Sequence, residues 1–436
     1  YKALSAVKLA EEATAAGIDA VPIFWLATYD HDLSEVNHIS MPGADGAPRT
    51  FATSSHSVPN APVSEVRFGE EIIPVVEDAV SLLGDSEVSQ FLRECYRPGE
   101  SLGTAFARLF ARLFAKWGVI VLDASDPELH RVAAPIYCAA IERAEDVNAA
   151  LLERGQALER ADYYQQVKVT PSSVLLFTLQ NGARTAIHRR ESNHPAQFII
   201  GTESEAEKLS ACQLIDRVNG VPENFSPNVL LRPVVQDYLL PTLAYAGGSA
   251  EAAYFAQAGA VYETLLERVT PIIPRFSATI VEPKIQHKLE HYGLSAAEVF
   301  QGTEALRRRL ASHALPGDLQ AAFERAGRSI ADSFSVLKEP LAKLDPTLVD
   351  ASQTGASKVQ YQLERLRERA MAAELRRSEV IGRHAEILSN MLYPDGALQE
   401  RGIAGAYFLA RHGTELLRSV YDTIHTDCHD HQILEL

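Results

Sequence analysis

Cysteine, basic charge and long apolar runs are all scarce in this sequence of 436 residues. Its four cysteines (Cys95, Cys138, Cys212 and Cys428) are too few and too widely spaced for a disulfide framework, so we expect a reducing cytoplasm. The 41 Lys and Arg residues are outnumbered by 57 Asp and Glu residues. The net charge of −16 therefore argues against binding to nucleic acid or to anionic lipid. No apolar run approaches the roughly 18 residues that a membrane helix needs.

What the sequence does contain is an alternation of helical and strand patterns. A helical pattern over residues 1–16 leads into the apolar run Ala20–Leu26, which is typical of a strand buried on both faces. A second pair follows, with a helix predicted over Thr104–Lys116 and a strand over Val119–Leu122. This alternation predicts an α/β fold with a doubly wound parallel sheet. Because a strand normally precedes the helix of a βαβ unit, we expect that an N-terminal segment is missing before residue 1.

An antiparallel module interrupts this pattern after residue 162. Gln165–Val169 and Val174–Leu179 are rich in strand-forming residues, and Asn181-Gly182 is typical of a type I′ hairpin turn that leads into Arg184–His188. Farther on, Pro241–Ala246 predicts a strand, and Ser249 is the predicted cap of the next helix.

From about residue 318 the apolar residues follow a spacing of three and four, as in a coiled-coil hairpin that ends at Tyr393–Gly396. We therefore predict five segments along the chain. They are a core over 1–162, an insertion with antiparallel strands over 163–225, the core continued over 226–315, a coiled-coil hairpin over 316–392 and a C-terminal helix with a tail over 393–436.

Asp30, His31 and Asp32 come just after the first buried strand. Open α/β sheets bind ligands at the carboxyl ends of their strands, so these side chains are candidates for acid–base catalysis, metal binding or the binding of an amine. The alternative is a helix N-terminus whose dipole favours carboxylates.

Two further segments carry candidate ligands for anions. Arg232 lies among apolar residues and needs an anionic partner, which is either a substrate or a structural partner such as Asp237. The turn Gly247-Gly248 and the segment with Arg275 and Ser277 could approach a phosphate group. A tail over residues 425–431 has the residue types of a zinc site but not its spacing, so a solvated tail is the favoured interpretation.

Several motifs together resemble a known family, the bacillithiol biosynthesis cysteine-adding enzymes. They are Phe24-Trp-Leu-Ala-Thr28, Asp30-His-Asp32, Glu35-Val-Asn-His38, Leu122-Asp-Ala-Ser-Asp-Pro127, Ser226-Pro-Asn-Val-Leu-Leu-Arg-Pro233, Leu243-Ala-Tyr-Ala-Gly-Gly248, Ala253-Tyr-Phe-Ala-Gln257 and Leu398-Gln-Glu-Arg401. The resemblance implies a Rossmann-like core with connecting-peptide insertions and a coiled coil that forms a homodimer. It also implies the joining of L-cysteine to the amino group of glucosaminyl malate, with ATP or ADP as the expected nucleotide, and we assign no metal.

The sequence departs from this family at three places. The glycine-rich opening that would precede Tyr1 is missing, Tyr29 stands where Glu is expected, and Asp162 and Tyr164 stand where Gly and His are common. We therefore assign no catalytic role to Asp162 or Tyr164.

The resemblance and the chemistry of the residues together give a set of candidate roles. We expect His31, with Asp30 or Asp32, to bind or deprotonate the amine. The candidate substrate-binding residues are Asn37, His38, Asn228, Arg232, Gln236 and Tyr254, and the candidate nucleotide-binding residues are Asp123, Ser125, Gly247, Gly248, Arg275 and Ser277. Two rival interpretations remain, namely a non-catalytic scaffold that presents a coiled coil and a metal-dependent hydrolase or amidase.

Overall fold

The computed structural model describes residues 1–54, 57–190, 197–201, 206–314, 317–377 and 379–436. Its helices are α1 (Lys2–Ala15), α2 (Leu33–Val36), α3 (Ile72–Leu83), α4 (Glu87–Cys95), α5 (Leu102–Leu113), α6 (Pro127–Glu142), α7 (Ala144–Arg160), α8 (Ala211–Gly220), α9 (Arg232–Leu239), α10 (Ser249–Leu266), α11 (Pro283–His291), α12 (Ala296–Val299), α13 (Thr303–Ala314), α14 (Gly317–Leu344), α15 (Thr347–Arg377), α16 (Glu379–Leu392), α17 (Gln399–Gly402), α18 (Gly405–His412) and α19 (Leu416–Asp422). Its strands are β1 (Ile23–Leu26), β2 (His38–Pro42), β3 (Pro48–Ala52), β4 (Ile120–Asp123), β5 (Ser173–Gln180), β6 (Ala183–Arg190), β7 (Gln197–Ile200), β8 (Glu207–Ser210), β9 (Phe225–Pro227), β10 (Tyr245–Gly247), β11 (Ile272–Pro274), β12 (Ala278–Val281) and β13 (Gln432–Glu435).

The chain folds into two compact units. The first contains residues 1–39, 50–277 and 405–431, and the second contains residues 40–49, 278–404 and 432–436. The segment boundary that we predicted between residues 315 and 316 lies outside the described residues.

Parallel strand pairs with helices between them form one part of the first unit. β1 pairs with β4, from Ile23 opposite Ile120 to Leu26 opposite Asp123, and β10 pairs with β11. Phe24 packs against Phe110 of α5 with a ring-centroid distance of 4.1 Å, so the predicted helix does cover the predicted strand. The helix begins at Leu102, two residues earlier than predicted, because the side chain of Ser101 caps it.

Five antiparallel strands form a separate sheet in the order β8-β7-β6-β5-β9. The predicted hairpin between β5 and β6 is confirmed, since Asn181 and Gly182 have φ values of +51° and +78°, as a type I′ turn requires. The prediction of a strand over Gln165–Val169 is wrong. The side chain of Gln257 bonds both the N–H and the C=O of Val167, so this backbone is satisfied without a neighbouring strand.

The strand predicted over Pro241–Ala246 is shorter than expected. Only Tyr245–Gly247 is extended and paired, because Pro241 has no N–H and the N–H of Thr242 folds back onto the C=O of Leu240. The N-cap of α10 is Gly248 and not the predicted Ser249.

The second unit contains two long helices, α14 and α15, that pack antiparallel to each other. The ideal Cβ position at Gly355 would lie 3.4 Å from the ring of Phe334, and the one at Gly327 would lie 3.8 Å from the side chain of Leu363. Pro340 lies inside α14, close to its end, and Pro346 lies in the turn before α15. Within the described ranges, no helix combines the length and the apolar composition that crossing a membrane requires.

Candidate active site

The loop that follows β1 carries Asp30 and His31. The N–H of Asp30 turns back to the C=O of Ala27, and the C=O of Asp30 accepts from the N–H of Val63, so the loop is fixed at both faces of this residue. Oδ1 of Asp30 accepts from the N–H of His31 at 2.9 Å. The Asp30 side chain is 50 % exposed and that of His31 is 26 % exposed, so both can meet a ligand. Asp32 precedes α2, but its side chain makes no capping hydrogen bond.

Arg184 of β6 completes this group, and the sequence analysis did not identify it. Its side chain is only 5 % exposed, and its Nη1 lies 2.9 Å from Oδ1 of Asp30 and 3.0 Å from Nδ1 of His31. The other nitrogens donate to Oγ of Ser226 and to the C=O of Pro227, at 3.0 Å and 2.7 Å. An arginine just after a hairpin turn is usually a surface residue, and no local signal distinguishes this one.

The aromatic ring of Phe177 supports the Arg184 guanidinium, whose Cζ lies 3.9 Å from the ring centroid. Burial lowers the pKa of Arg184, and the nearby carboxylate of Asp30 opposes that effect. Because an arginine pKa begins above 12, the group stays charged, and Asp30 provides its counter-charge.

Tyr29, which replaces the expected Glu, lies beside this group. Its ring centroid is 5.6 Å from Cζ of Arg184, and its side chain is buried. Among the described residues, its hydroxyl has no hydrogen-bond partner. Burial raises the pKa of Tyr29 well above its usual value, so the hydroxyl keeps its proton. This residue therefore contributes a neutral hydroxyl where a glutamate would contribute a charge.

A second polar group surrounds Arg232 at the start of α9. Its Nη2 donates to the hydroxyl of Tyr245 at 3.1 Å and to the hydroxyl of Tyr254, and it lies 4.0 Å from the carboxylate of Glu251. Nζ of Lys2 bonds both oxygens of Glu251, at 2.6 Å and 2.7 Å. Two cations thus share one carboxylate, which leaves a net positive charge to meet an anionic ligand.

Arg232 does have an acidic partner within the protein, as the alternative expected, but that partner is Glu251 and not Asp237. Asp237 lies in α9, and its Oδ2 forms an ion pair with Nη2 of Arg268 at 2.8 Å. Arg268 follows the end of α10. Arg232 instead contacts Tyr245, Tyr254 and Glu251, which folding brings close to it.

Burial determines the protonation of the groups around Arg232. It raises the pKa of Tyr245 to about 12 and that of Tyr254 to about 12, so both hydroxyls are neutral near pH 7. Burial also lowers the pKa of Lys2, against the opposing effect of Glu251. Burial by itself would raise the pKa of Glu251, but Lys2 and the hydrogen bonds from Tyr245 and Gly248 together outweigh it, so the net shift is downward.

The other candidate substrate-binding residues differ in whether their side chains already have hydrogen-bond partners within the protein. Oδ1 of Asn228 accepts from the N–H groups of Leu230 and Leu231, both at 3.0 Å, and so holds the turn before α9. Oε1 of Gln236 is buried and has no partner within the described ranges. On the surface, Nδ1 of His38 lies 3.1 Å from Oδ1 of Asn37.

Asp123 and Ser125, at the carboxyl end of β4, form a local hydrogen-bonded group. Oδ1 of Asp123 accepts from the N–H and the hydroxyl of Ser125, at 3.0 Å and 2.9 Å, and from the hydroxyl of Thr28. This ties the loops after β1 and β4 together.

The remaining candidates for nucleotide binding also bond within the protein. The N–H of Gly248 donates to Oε2 of Glu251 at 2.8 Å, so a carboxylate already occupies the start of α10. Nη1 of Arg275 donates to the C=O of Phe276, and the hydroxyl of Ser277 contacts Nδ1 of His431. Each of these three groups thus has a partner within the protein, and a role in binding a nucleotide stays a prediction.

A metal site would need several of these carboxylates and histidines to lie close together. In the part of the chain that the structure describes, no three His, Cys, Asp or Glu side chains are grouped as metal ligands would be.

Comparison with known proteins places this chain in a family. Residues 1–276 match the family model described as "Bacillithiol biosynthesis BshC, N-terminal Rossmann-like domain", and residues 278–436 match "Bacillithiol biosynthesis BshC, C-terminal coiled-coil domain". These matches confirm the predicted fold class, a Rossmann-like α/β core with a C-terminal coiled coil.

Curated relatives agree with this assignment over the whole chain. A protein of Koribacter versatilis named "Putative cysteine ligase BshC" is 46% identical over 435 residues, which are 100% of this chain and 80% of the relative. Proteins of the same name from Solibacter usitatus and Salinibacter ruber are 35% and 32% identical to this chain. Each match spans 100% of this chain, and the matches span 80% and 79% of the two relatives. The chain therefore belongs to the BshC family of bacillithiol biosynthesis.

Proposed function

We propose that this protein is a ligase that joins L-cysteine to the amino group of glucosaminyl malate, the last step of bacillithiol biosynthesis. The observation that carries the proposal is the group formed by Asp30, His31 and Arg184 at the end of β1, in a chain that shares its family with proteins named cysteine ligases.

Amide formation needs an acceptor for the proton of the attacking amine and a means of stabilising the acyl oxygen. Asp30 offers a half-exposed carboxylate, and Arg184 holds it in place from a buried position. Asp32 is exposed, and its side chain makes no capping hydrogen bond at the start of α2. Of the two aspartates, we therefore propose Asp30 as the acceptor of the amine proton.

Glucosaminyl malate also carries carboxylates, and Arg232 is the candidate that would orient them. The guanidinium is buried, shares the charge of Glu251 with Lys2, and is flanked by the neutral hydroxyls of Tyr245 and Tyr254. A cation held in this way favours an anionic ligand, because desolvation strengthens the attraction. Asn37, His38, Asn228 and Gln236 remain proposed substrate-binding residues.

ATP or ADP remains the proposed nucleotide, since a carboxylate must be activated before an amine can replace its oxygen. Such a nucleotide would supply the activating group. Because Asp123, Ser125, Gly248 and Ser277 each have a partner within the protein, we derive no step through them.

Product formation tests the proposal directly. The purified protein is incubated with cysteine and glucosaminyl malate, with ATP, with ADP or without nucleotide, and the amide product is measured by mass spectrometry. We expect product only when both substrates are present. Asp30→Asn should lower kcat by about 100-fold, whereas the matched variant Asp32→Asn should keep most of it. Absence of product under every condition would reject the ligase function.

We also propose that the coiled coil forms a homodimer. Several large apolar side chains of α14 and α15 are exposed in the single chain, and they include Val336 (74%), Leu337 (47%), Leu344 (78%) and Leu366 (56%). Exposed apolar residues on helices of this kind mark a contact with a further helix. Light scattering after size-exclusion chromatography should give a dimer, and Leu337→Glu with Leu344→Glu should give a monomer. Lys338→Glu on the same helix is the control, and a monomeric wild type would reject this proposal.

We also propose a cytoplasmic location, because four widely spaced cysteines in 436 residues are too few for a disulfide framework.

A further inference from the structure

The contact between Arg184 and His31 restricts what the histidine can do. Nη1 of Arg184 lies 3.0 Å from Nδ1 of His31. An arginine guanidinium has only donors, so Nδ1 can take part in a hydrogen bond only through its lone pair. In a neutral imidazole, the proton is then on Nε2.

A competing arrangement would place the proton on Nδ1 and direct it at Asp30. The distance from Nδ1 to Oδ1 of Asp30 is 3.4 Å, which is longer than the contact with Arg184. Oδ1 also accepts already from Nη1 of Arg184 and from the N–H of His31, both at 2.9 Å. A proton on Nδ1 would in addition point towards the buried cation. The geometry therefore favours the Nε2–H form.

We infer that Arg184 is a positioning residue that holds His31 in its Nε2–H tautomer, so that His31 donates a hydrogen bond to the acyl oxygen of the activated cysteinyl group, while Asp30 accepts the proton of the amine. This rests on the proposed ligase function and differs from the role that the sequence suggested for His31, which was to bind or deprotonate the amine together with Asp30 or Asp32.

In the proposed step, the amine attacks a cysteinyl group that carries a phosphate-type leaving group. The nitrogen lone pair of the amine forms the C–N bond, and the π electrons of the C=O move to the oxygen, where Nε2–H of His31 stabilises the negative charge. The amine proton passes to the Asp30 carboxylate, whose Oδ2 is not used by Arg184. The oxyanion then re-forms the C=O, and the leaving group departs with its electron pair.

Two amide substitutions at one position distinguish a donor from a base. The amide nitrogen of Gln lies near the place of Nε2, and that of Asn lies near the place of Nδ1, while neither can accept a proton as a base does. If His31 is a donor through Nε2, His31→Gln should keep kcat within about 10-fold of wild type, and His31→Asn and His31→Ala should lose about 100-fold. If His31 is the base, all three variants should lose activity equally, and the inference is overturned.

The tautomer itself can be observed without any activity. The protein is labelled with ¹⁵N-histidine, and the signal of His31 is assigned from its absence in His31→Gln. We expect long-range ¹H–¹⁵N correlations of the Nε2–H form in wild type and a mixture of forms in Arg184→Gln. An Nδ1–H form in wild type would overturn the inference.

Arg184→Gln should lower kcat by about 10-fold or more with a smaller change in KM, because the positioning acts on the reacting group. The matched control is Arg189→Gln on the same strand, whose ion pair is with Glu145 at 3.1 Å and which should keep kcat. Equal losses in both variants would overturn the positioning role. If wild type makes no product but shows the Nε2–H form, the ligase function fails while the positioning of His31 stands.

Discussion

Arg184 and Asp30 are 154 positions apart in the sequence, and Nη1 of Arg184 lies 2.9 Å from Oδ1 of Asp30. Their contact joins a strand of the antiparallel sheet to the loop that follows the first parallel strand. A residue of the antiparallel sheet thus lies in the candidate active site beside the parallel strands.

Removing this guanidinium should destabilise the first unit as well as lower activity. Arg184→Gln leaves the hydroxyl of Ser226 and the C=O of Pro227 without their donor in a buried place. We expect the free energy of unfolding to fall by about 2 kcal/mol, a modest value because Asp30 is half exposed and can be hydrated. Urea denaturation measures this loss. Arg93→Gln, which breaks an exposed ion pair with Glu77, should change little.

The carboxylate of Glu251 should be essential to the group around Arg232. Glu251→Gln leaves Lys2 and Arg232 as neighbouring cations without their shared counter-charge, so we expect a loss of about 2 kcal/mol. Adding Lys2→Met should restore part of it, because one of the two cations is then removed. Unfolding of both single variants and the double variant gives the coupling energy, and strictly additive losses would contradict the contact.

The same carboxylate should contribute to the pH dependence of stability. Burial would raise the pKa of Glu251, but Lys2 and the hydrogen bonds from Tyr245 and Gly248 together outweigh it, so the folded-state pKa lies below its ordinary value of 4.5. The folded state therefore holds the proton less tightly than the unfolded state does. This contribution is present above about pH 4.5 and is lost as the pH falls through the folded-state value. The difference in stability between wild type and Glu251→Gln should shrink over that range.

His130 predicts a second, separate pH effect. Burial lowers its pKa from the ordinary 6.5, against opposing effects of Glu223 and Asp126. Because the unfolded chain then binds the proton more readily, this residue should reduce stability as the pH falls below about 6.5. The loss should be smaller in His130→Gln, and unfolding curves measured from pH 7 to pH 5 give the comparison. Identical pH dependence in the two proteins would contradict the buried, neutral histidine.

Gly103 should not tolerate a methyl group. An ideal Cβ there would lie 2.7 Å from Cγ2 of Thr28. Thr28 is buried, branched at Cβ and bonded to Asp123 through its hydroxyl, so it cannot move away freely. We expect Gly103→Ala to destabilise the protein by about 1–3 kcal/mol. Gly382→Ala inside α16 meets no atom within 4 Å and should stabilise by about 0.5–1 kcal/mol. Thermal unfolding of both variants distinguishes a clash from a general effect of glycine replacement.

Local rules explain the parts of the fold that the sequence predicted well. The helix predicted over Thr104–Lys116 forms as α5, because the spacing of its apolar residues acts over a short span. Asn181 and Gly182 form the predicted turn for the same kind of reason, since their backbone preferences act within a few residues. The strand predicted over Gln165–Val169 failed because a distant side chain, that of Gln257, satisfied its backbone.

The sequence by itself determined the α/β alternation, the turn at Asn181-Gly182, the coiled-coil hairpin and the position of Asp30 and His31 after the first strand. Each of these depends on periodicity or on backbone preferences over a short span. Only the tertiary structure decided which side chains meet there. Arg184 reaches Asp30, and Lys2 reaches Glu251 across 249 positions. No local pattern encodes such pairs, because a buried charge takes whichever partner the packing of the whole unit brings within reach.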